Sequence, residues 1–135
     1  MRFLSIYKTV ERSTPPSPEE VATMGAFVEE AIASGAVLAT EGCLPTAAGA
    51  RIRRAGDTVT VTDGPFTEAK EVIGGFALLQ ADSLEEAIEM GRRFIAVAGD
   101  GECEIRQLYE AGDFDAPCVA HDVLHAAAAS GIPAA

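Results

Sequence analysis

Gly75-Phe76-Ala77-Leu78-Leu79-Gln80-Ala81-Asp82-Ser83-Leu84-Glu85-Glu86-Ala87-Ile88 is the stretch on which the fold turns. Its first six residues are an apolar run suited to a buried strand. Ser83 followed by Glu86 is a helix-start signature, because the serine hydroxyl can accept the amide three residues on while the glutamate reaches back. Ala87, Ile88, Gly91, Phe94 and Ile95 recur at helical spacing and give one apolar stripe. Gly99-Asp100-Gly101 predicts the stop. Cys103, Ile105 and Gln107 then alternate with Glu104, Arg106 and Leu108 as a strand. The unit is strand, capped helix, glycine, strand.

The same order stands at the N-terminus. Phe3, Ser5 and Tyr7 alternate with Leu4 and Ile6, a strand between two layers. Ser17-Pro18-Glu19-Glu20 combines a capping box with proline at the first helical position and predicts a helix over 18–34. Val21, Met24, Phe27, Val28, Ala31 and Ile32 form its apolar stripe, Gly35 supplies a left-handed stop, and 36–40 reads as a buried strand. Between the two copies, Arg51 to Arg54 and Thr58 to Thr62 flank Ala55-Gly56-Asp57 as a hairpin with its valines facing one way. Two βαβ-like units around a hairpin predict an α+β fold: a ferredoxin-like split βαβ, with an antiparallel sheet and both helices on one face. The other face would be left apolar and bare, so a homodimer stacked through sheet faces is expected from packing need.

Composition narrows the function classes. The chain has 135 residues, enough for one domain, which is expected over 1–112 with a tail over 113–135. Ten Lys and Arg against 21 Asp and Glu give a net charge of −11, which repels phosphate backbones and anionic lipid, so neither nucleic acid nor membrane is an expected partner. Arg51, Arg53 and Arg54 are the local exception and read as charge guarding a strand edge. Phe3 to Tyr7 is too short for a signal core and no apolar run spans a bilayer. Cys43, Cys103 and Cys118 are odd in number and lack metal-type pairing, which suits reduced thiols in the cytoplasm.

The least generic segment is Asp63-Gly64-Pro65-Phe66-Thr67-Glu68-Ala69-Lys70-Glu71, followed by Val72-Ile73-Gly74-Gly75-Phe76. It resembles the DGPF group of the YCII-related family: a D-G-P-F turn, an E-x-K-E run and a Gly-Gly-aromatic strand start. Thr40-Glu41-Gly42 and the Gly99-Asp100-Gly101 ending fit the same resemblance, which spans about residues 1–110. The resemblance implies a dimeric α+β barrel with a pocket beside each sheet. It also implies a functional link, in some relatives, to extracytoplasmic-function sigma factors. A more distant branch includes a dehydrochlorinase thought to use a His–Asp pair, with the histidine on the first helix. Residues 18–34 contain no histidine, which counts against that chemistry here.

Read physically, Asp63 can bond turn amides, Gly64 permits positive φ, Pro65 fixes the next φ and Phe66 anchors the bend. Glu68, Lys70 and Glu71 then gather opposite charges. With Asp63 and Glu41 they are the candidate ligand-binding residues for a small polar molecule, and the same residues also suit a turn carrying a surface ion pair. His121 and His125, four apart, could chelate a metal with Cys118 or Asp122, but Val119, Val123 and Leu124 read as packing, and a short helix over 116–129 is expected instead. No nucleotide fingerprint, triad or metal motif is present, so no cofactor is expected. The reading favours a small-molecule-binding or regulatory accessory protein, with a cofactor-free lyase or isomerase using the acidic motif as the alternative.

Overall fold

The computed structural model describes residues 1–113. The expected tail helix, and the Cys118, His121, Asp122 and His125 cluster, lie outside them. Strand β1 (Arg2–Thr9) leads to helix α1 (Pro18–Ala33) and strand β2 (Val37–Gly42). A 3₁₀ turn at Thr46–Ala48 precedes strands β3 (Ala50–Ala55) and β4 (Thr58–Asp63). Strand β5 (Val72–Gln80), helix α2 (Leu84–Ala98) and strand β6 (Glu102–Gln107) complete the second copy. The main sheet is antiparallel in the order β2-β5-β1-β6, the ferredoxin-like arrangement of two interleaved βαβ units. The hairpin β3–β4 is a separate two-stranded sheet.

The helix starts follow the sequence closely, with one difference. At α1 the capping box is complete: Ser17 Oγ accepts from Glu20 N at 3.2 Å, and Glu20 Oε2 accepts from Ser17 N at 2.6 Å. At α2 Ser83 Oγ accepts from Glu86 N, but the Glu86 carboxylate accepts from Asp82 N, one residue earlier than a box requires. That satisfies an amide just outside the helix instead of the cap's own. Gly35 follows α1 at φ +79° and Gly99 caps α2 at φ +91°, values that favour glycine.

Sheet register sorts the side chains into two faces. Facing the helices are the rows Val37, Leu79, Phe3 and Gln107; Thr40, Ala77, Ser5 and Ile105; and Gly42, Gly75, Tyr7 and Cys103. The core sits at the first of these rows, where Phe3, Leu79, Ala81 and Ala87 are buried. The two helices treat the sheet differently. Helix α2 comes down on β6 at Gly91, where an added Cβ would meet Ile105 Cδ1 at 3.3 Å and Cys103 Sγ at 3.5 Å. Helix α1 stands off: none of its residues is buried, and nothing lies within 4 Å of a Cβ built on Gly25. Its stripe is correspondingly half-used, with Met24, Phe27, Val28 and Ala31 half-buried while Val21 and Ile32 remain exposed.

Candidate functional site

The space left under α1 is a cleft of about 630 Å³ between both helices and the sheet. Pockets that hold drug-sized ligands run to roughly 300–1,000 Å³. An empty sealed void of that size would cost about 15 kcal/mol at the usual penalty per Å³ of cavity, as much as the whole stability of a typical domain. The space is an open cleft rather than a sealed void.

Its walls are aromatic and aliphatic. Tyr7 meets Phe94 edge-on with ring centroids 5.3 Å apart, and Phe27 lies 6.3 Å from Phe94. Met24 and Met90, adaptable thioether side chains, line it from the two helices. Of the polar side chains in the walls, the Glu41 carboxylate makes no ion pair among the described residues, and the hydroxyls have partners in the chain. Tyr7 Oη donates to the Asp100 carbonyl at 2.8 Å, Thr40 Oγ1 donates to the Phe76 carbonyl at 2.9 Å, and buried Ser5 Oγ lies 3.1 Å from Cys103 Sγ. Both arginines that border the cleft are neutralised: Arg12 Nη1 pairs with Glu20 Oε1 at 2.9 Å and Arg93 Nη2 with Glu30 Oε1 at 3.1 Å.

The five residues singled out from the sequence are not gathered here. Glu41 alone borders the cleft, from edge strand β2, where it is exposed beside Phe76. Asp63, Glu68, Lys70 and Glu71 are exposed and line no part of it. Glu68 Oε1 pairs with Arg51 Nη1 at 3.0 Å, across from β3, while Lys70 and Glu71 make no ion pair among the described residues.

The corner is built by residues the motif does not contain. Thr46 Oγ1 accepts from Phe66 N at 3.0 Å and donates to Glu11 Oε2 at 2.8 Å, and the other Glu11 oxygen accepts from Thr46 N. Asp63 was expected to bond the turn amides, and among the described residues its carboxylate accepts none of them. The bend instead leans on the 3₁₀ turn, so closely that a Cβ on Gly64 would lie 1.6 Å from the Thr46 carbonyl oxygen. The Gly64-Pro65 peptide is cis. Arg51 stacks its guanidinium 3.9 Å from the Phe66 ring centroid, which makes Phe66 an anchor for β3. A buried threonine in a Pro-Thr-Ala-Ala loop gave no sequence signal of this role; only its distant partners reveal it.

The YCII-related domain profile matches residues 1–111. The chain belongs to the YCII-related family. Among its relatives is the uncharacterized protein R00369 of Rhizobium meliloti (strain 1021), 38% identical over 73 residues, which are 52% of this chain. The matched stretch spans 59% of that relative's length. In this YCII-related chain no described helix is long and apolar enough to cross a membrane. Nor, among the described residues, is any group of three or more His, Cys, Asp or Glu placed to hold a metal.

Proposed function

We propose that this protein, a member of the DGPF group of its family, binds a small, uncharged, largely apolar molecule in the cleft and works as a homodimer. The observation that carries the reading is the cleft of about 630 Å³ walled by Tyr7, Phe27 and Phe94, with its bordering arginines already paired. Support for the dimer comes from the bare face of the sheet. Register puts Leu4, Ile6, Phe76 and Leu78 there, and Phe76 is 41% exposed and Ile73 53%. That apolar centre suits a second copy stacked sheet to sheet. The acidic motif acts on this reading as a corner of the fold. An acid–base enzyme finds less support, because the hydroxyls of the cleft are bonded within the chain and the motif carboxylates lie outside it. A regulatory accessory role, including a link to a sigma factor, would act through occupancy of this cleft.

Titration of the full chain with the uncharged dye Nile red tests the reading. Saturable binding is expected, lost in Ala31→Trp, which fills the cleft from α1, and kept in Glu68→Gln and Lys70→Met. Circular dichroism checks that the tryptophan variant folds. Binding that is indifferent to Ala31→Trp but abolished by the charge variants would move the site to the acidic motif.

A further inference from the structure

Helix α1 is held to the rest of the chain by little. None of its residues is buried, and the half-buried Met24, Phe27, Val28 and Ala31 line the cleft it roofs. Among the described residues it makes two ion pairs, Arg12 Nη1 with Glu20 Oε1 at 2.9 Å and Arg93 Nη2 with Glu30 Oε1 at 3.1 Å. Arg93 reaches α1 a second time, with its guanidinium 5.9 Å from the Phe27 ring centroid, and Phe27 in turn leans on Phe94. All four charged residues border the cleft. All are about half exposed or more, and exposed pairs are weak and screened by salt.

Both ends of the helix run into joints. Beyond its C-terminal end Gly35 stands at φ +79° with nothing within 4 Å of a built Cβ. The next residue is already tied to the sheet, where the Ala36 carbonyl accepts from Gln80 N at 3.0 Å. Before the N-terminal end, Glu11 is fixed on Thr46, whose amide and hydroxyl both donate to its carboxylate. Residues 12–17, between that anchor and the helix, are exposed and belong to no helix or strand. A rigid element moves by turning about a few residues of this kind at its ends.

We propose that α1 is a lid on the cleft, turning about Gly35 and residues 12–17 and latched by the Arg12–Glu20 and Arg93–Glu30 pairs. The inference concerns how the cleft is gated and rests on the binding reading of the preceding section. The latches join protein side chains to one another, so they restrain α1 whether the cleft is filled or empty. Loosening them therefore speeds entry and release together and leaves affinity nearly unchanged. An uncharged occupant sharpens the contrast. Salt acting on the occupant itself shifts affinity, whereas salt acting on the latches moves both rates alike.

Hydrogen exchange of the full chain without ligand, together with stopped-flow mixing with Nile red, tests the lid. Arg12→Gln with Glu30→Gln removes both latches and keeps Glu20 on its cap. Amides of α1 in this variant are expected to exchange roughly threefold faster or more, with α2 and β5 unchanged. Dye association and release should rise by a similar factor. Salt at about 1 M, which shortens the screening length to about 3 Å, should do the same to the wild type and little to the variant. Arg93→Glu should speed release, and Arg93→Glu with Glu30→Arg should slow it again. Dye rates and α1 exchange that are indifferent to the latch variant overturn the lid and leave the cleft as a binding site. A wild type that takes up no dye removes the binding reading, and exchange then decides the lid alone: faster in α1 of the latch variant keeps the hinged helix, unchanged overturns it. Exchange that rises equally in α1, α2 and β5 reports lost global stability and also overturns the lid.

Discussion

Glu20 takes on two tasks with one carboxylate: Oε2 completes the cap of α1 while Oε1 holds Arg12. The Arg12 guanidinium, with help from the Ser17 amide, brings its pKa down to about 2. An unfolded glutamate titrates near about 4.3. The stabilisation is therefore complete above that value and is lost as pH falls from it toward 2. A carboxyl-carbon NMR titration should find the Glu20 midpoint at about 2, and Arg12→Ala should move it up. Thr46 is the other residue with an outsized part. Thr46→Ala strands the Phe66 amide and a Glu11 oxygen and is expected to cost about 1–3 kcal/mol in urea unfolding. Thr46→Ser should recover most of it, and Asp63→Ala should stay within about 0.5 kcal/mol. The motif had pointed to Asp63. Its sequence position beside the turn is right, but which side chain reaches the amides depends on a loop that folds back from residues 46–48, and spacing along the chain carries no trace of that approach.

The two helices look alike on paper and behave differently in the fold. Both start at a serine cap with glutamates in the first turn and both carry an apolar stripe. Helix α2 has Ala87 and Gly91 buried and meets β6 closely, whereas α1 has only half-buried residues and roofs a cleft. Stability follows burial, so amides of α1 should exchange measurably faster than those of α2, and an occupant of the cleft should slow α1 selectively. Equal protection in the unliganded protein would contradict the standoff. Strand limits were legible to within a few residues: β2 was expected over 36–40 and spans Val37–Gly42, while β5 begins at Val72, ahead of the expected Gly75. The register shifts between Tyr7 and Lys8, leaving Gly74 of β5 out of the pairing, so that Lys8 and Thr9 meet Ile73 and Val72. A bulge of that kind leaves no mark in the alternation of β1 itself.

For the whole molecule, the proposed function links stability to an occupant of the cleft. A ligand at about one hundred times its dissociation constant should stabilise the fold by roughly 2.7 kcal/mol. A thermal melt of wild type should therefore rise with ligand concentration, and Ala31→Trp should melt independently of it. The sequence by itself determined the order of elements, the capping of α1, the turn signals and the ferredoxin-like pairing of two βαβ units, because these rest on contacts close along the chain and on alternation of period two or 3.6. It also predicted an apolar centre on one sheet face, where the register sets Leu4, Ile6, Phe76 and Leu78. The tertiary structure decided how far each helix stands from the sheet, and so created the cleft; it set Thr46 and Glu11 under the turn and left the hairpin outside the main sheet. Each of these depends on distances between segments remote in sequence. Such distances are fixed by packing volumes and single backbone approaches, such as Gly91 on Ile105 and Gly64 on Thr46, which no local pattern encodes.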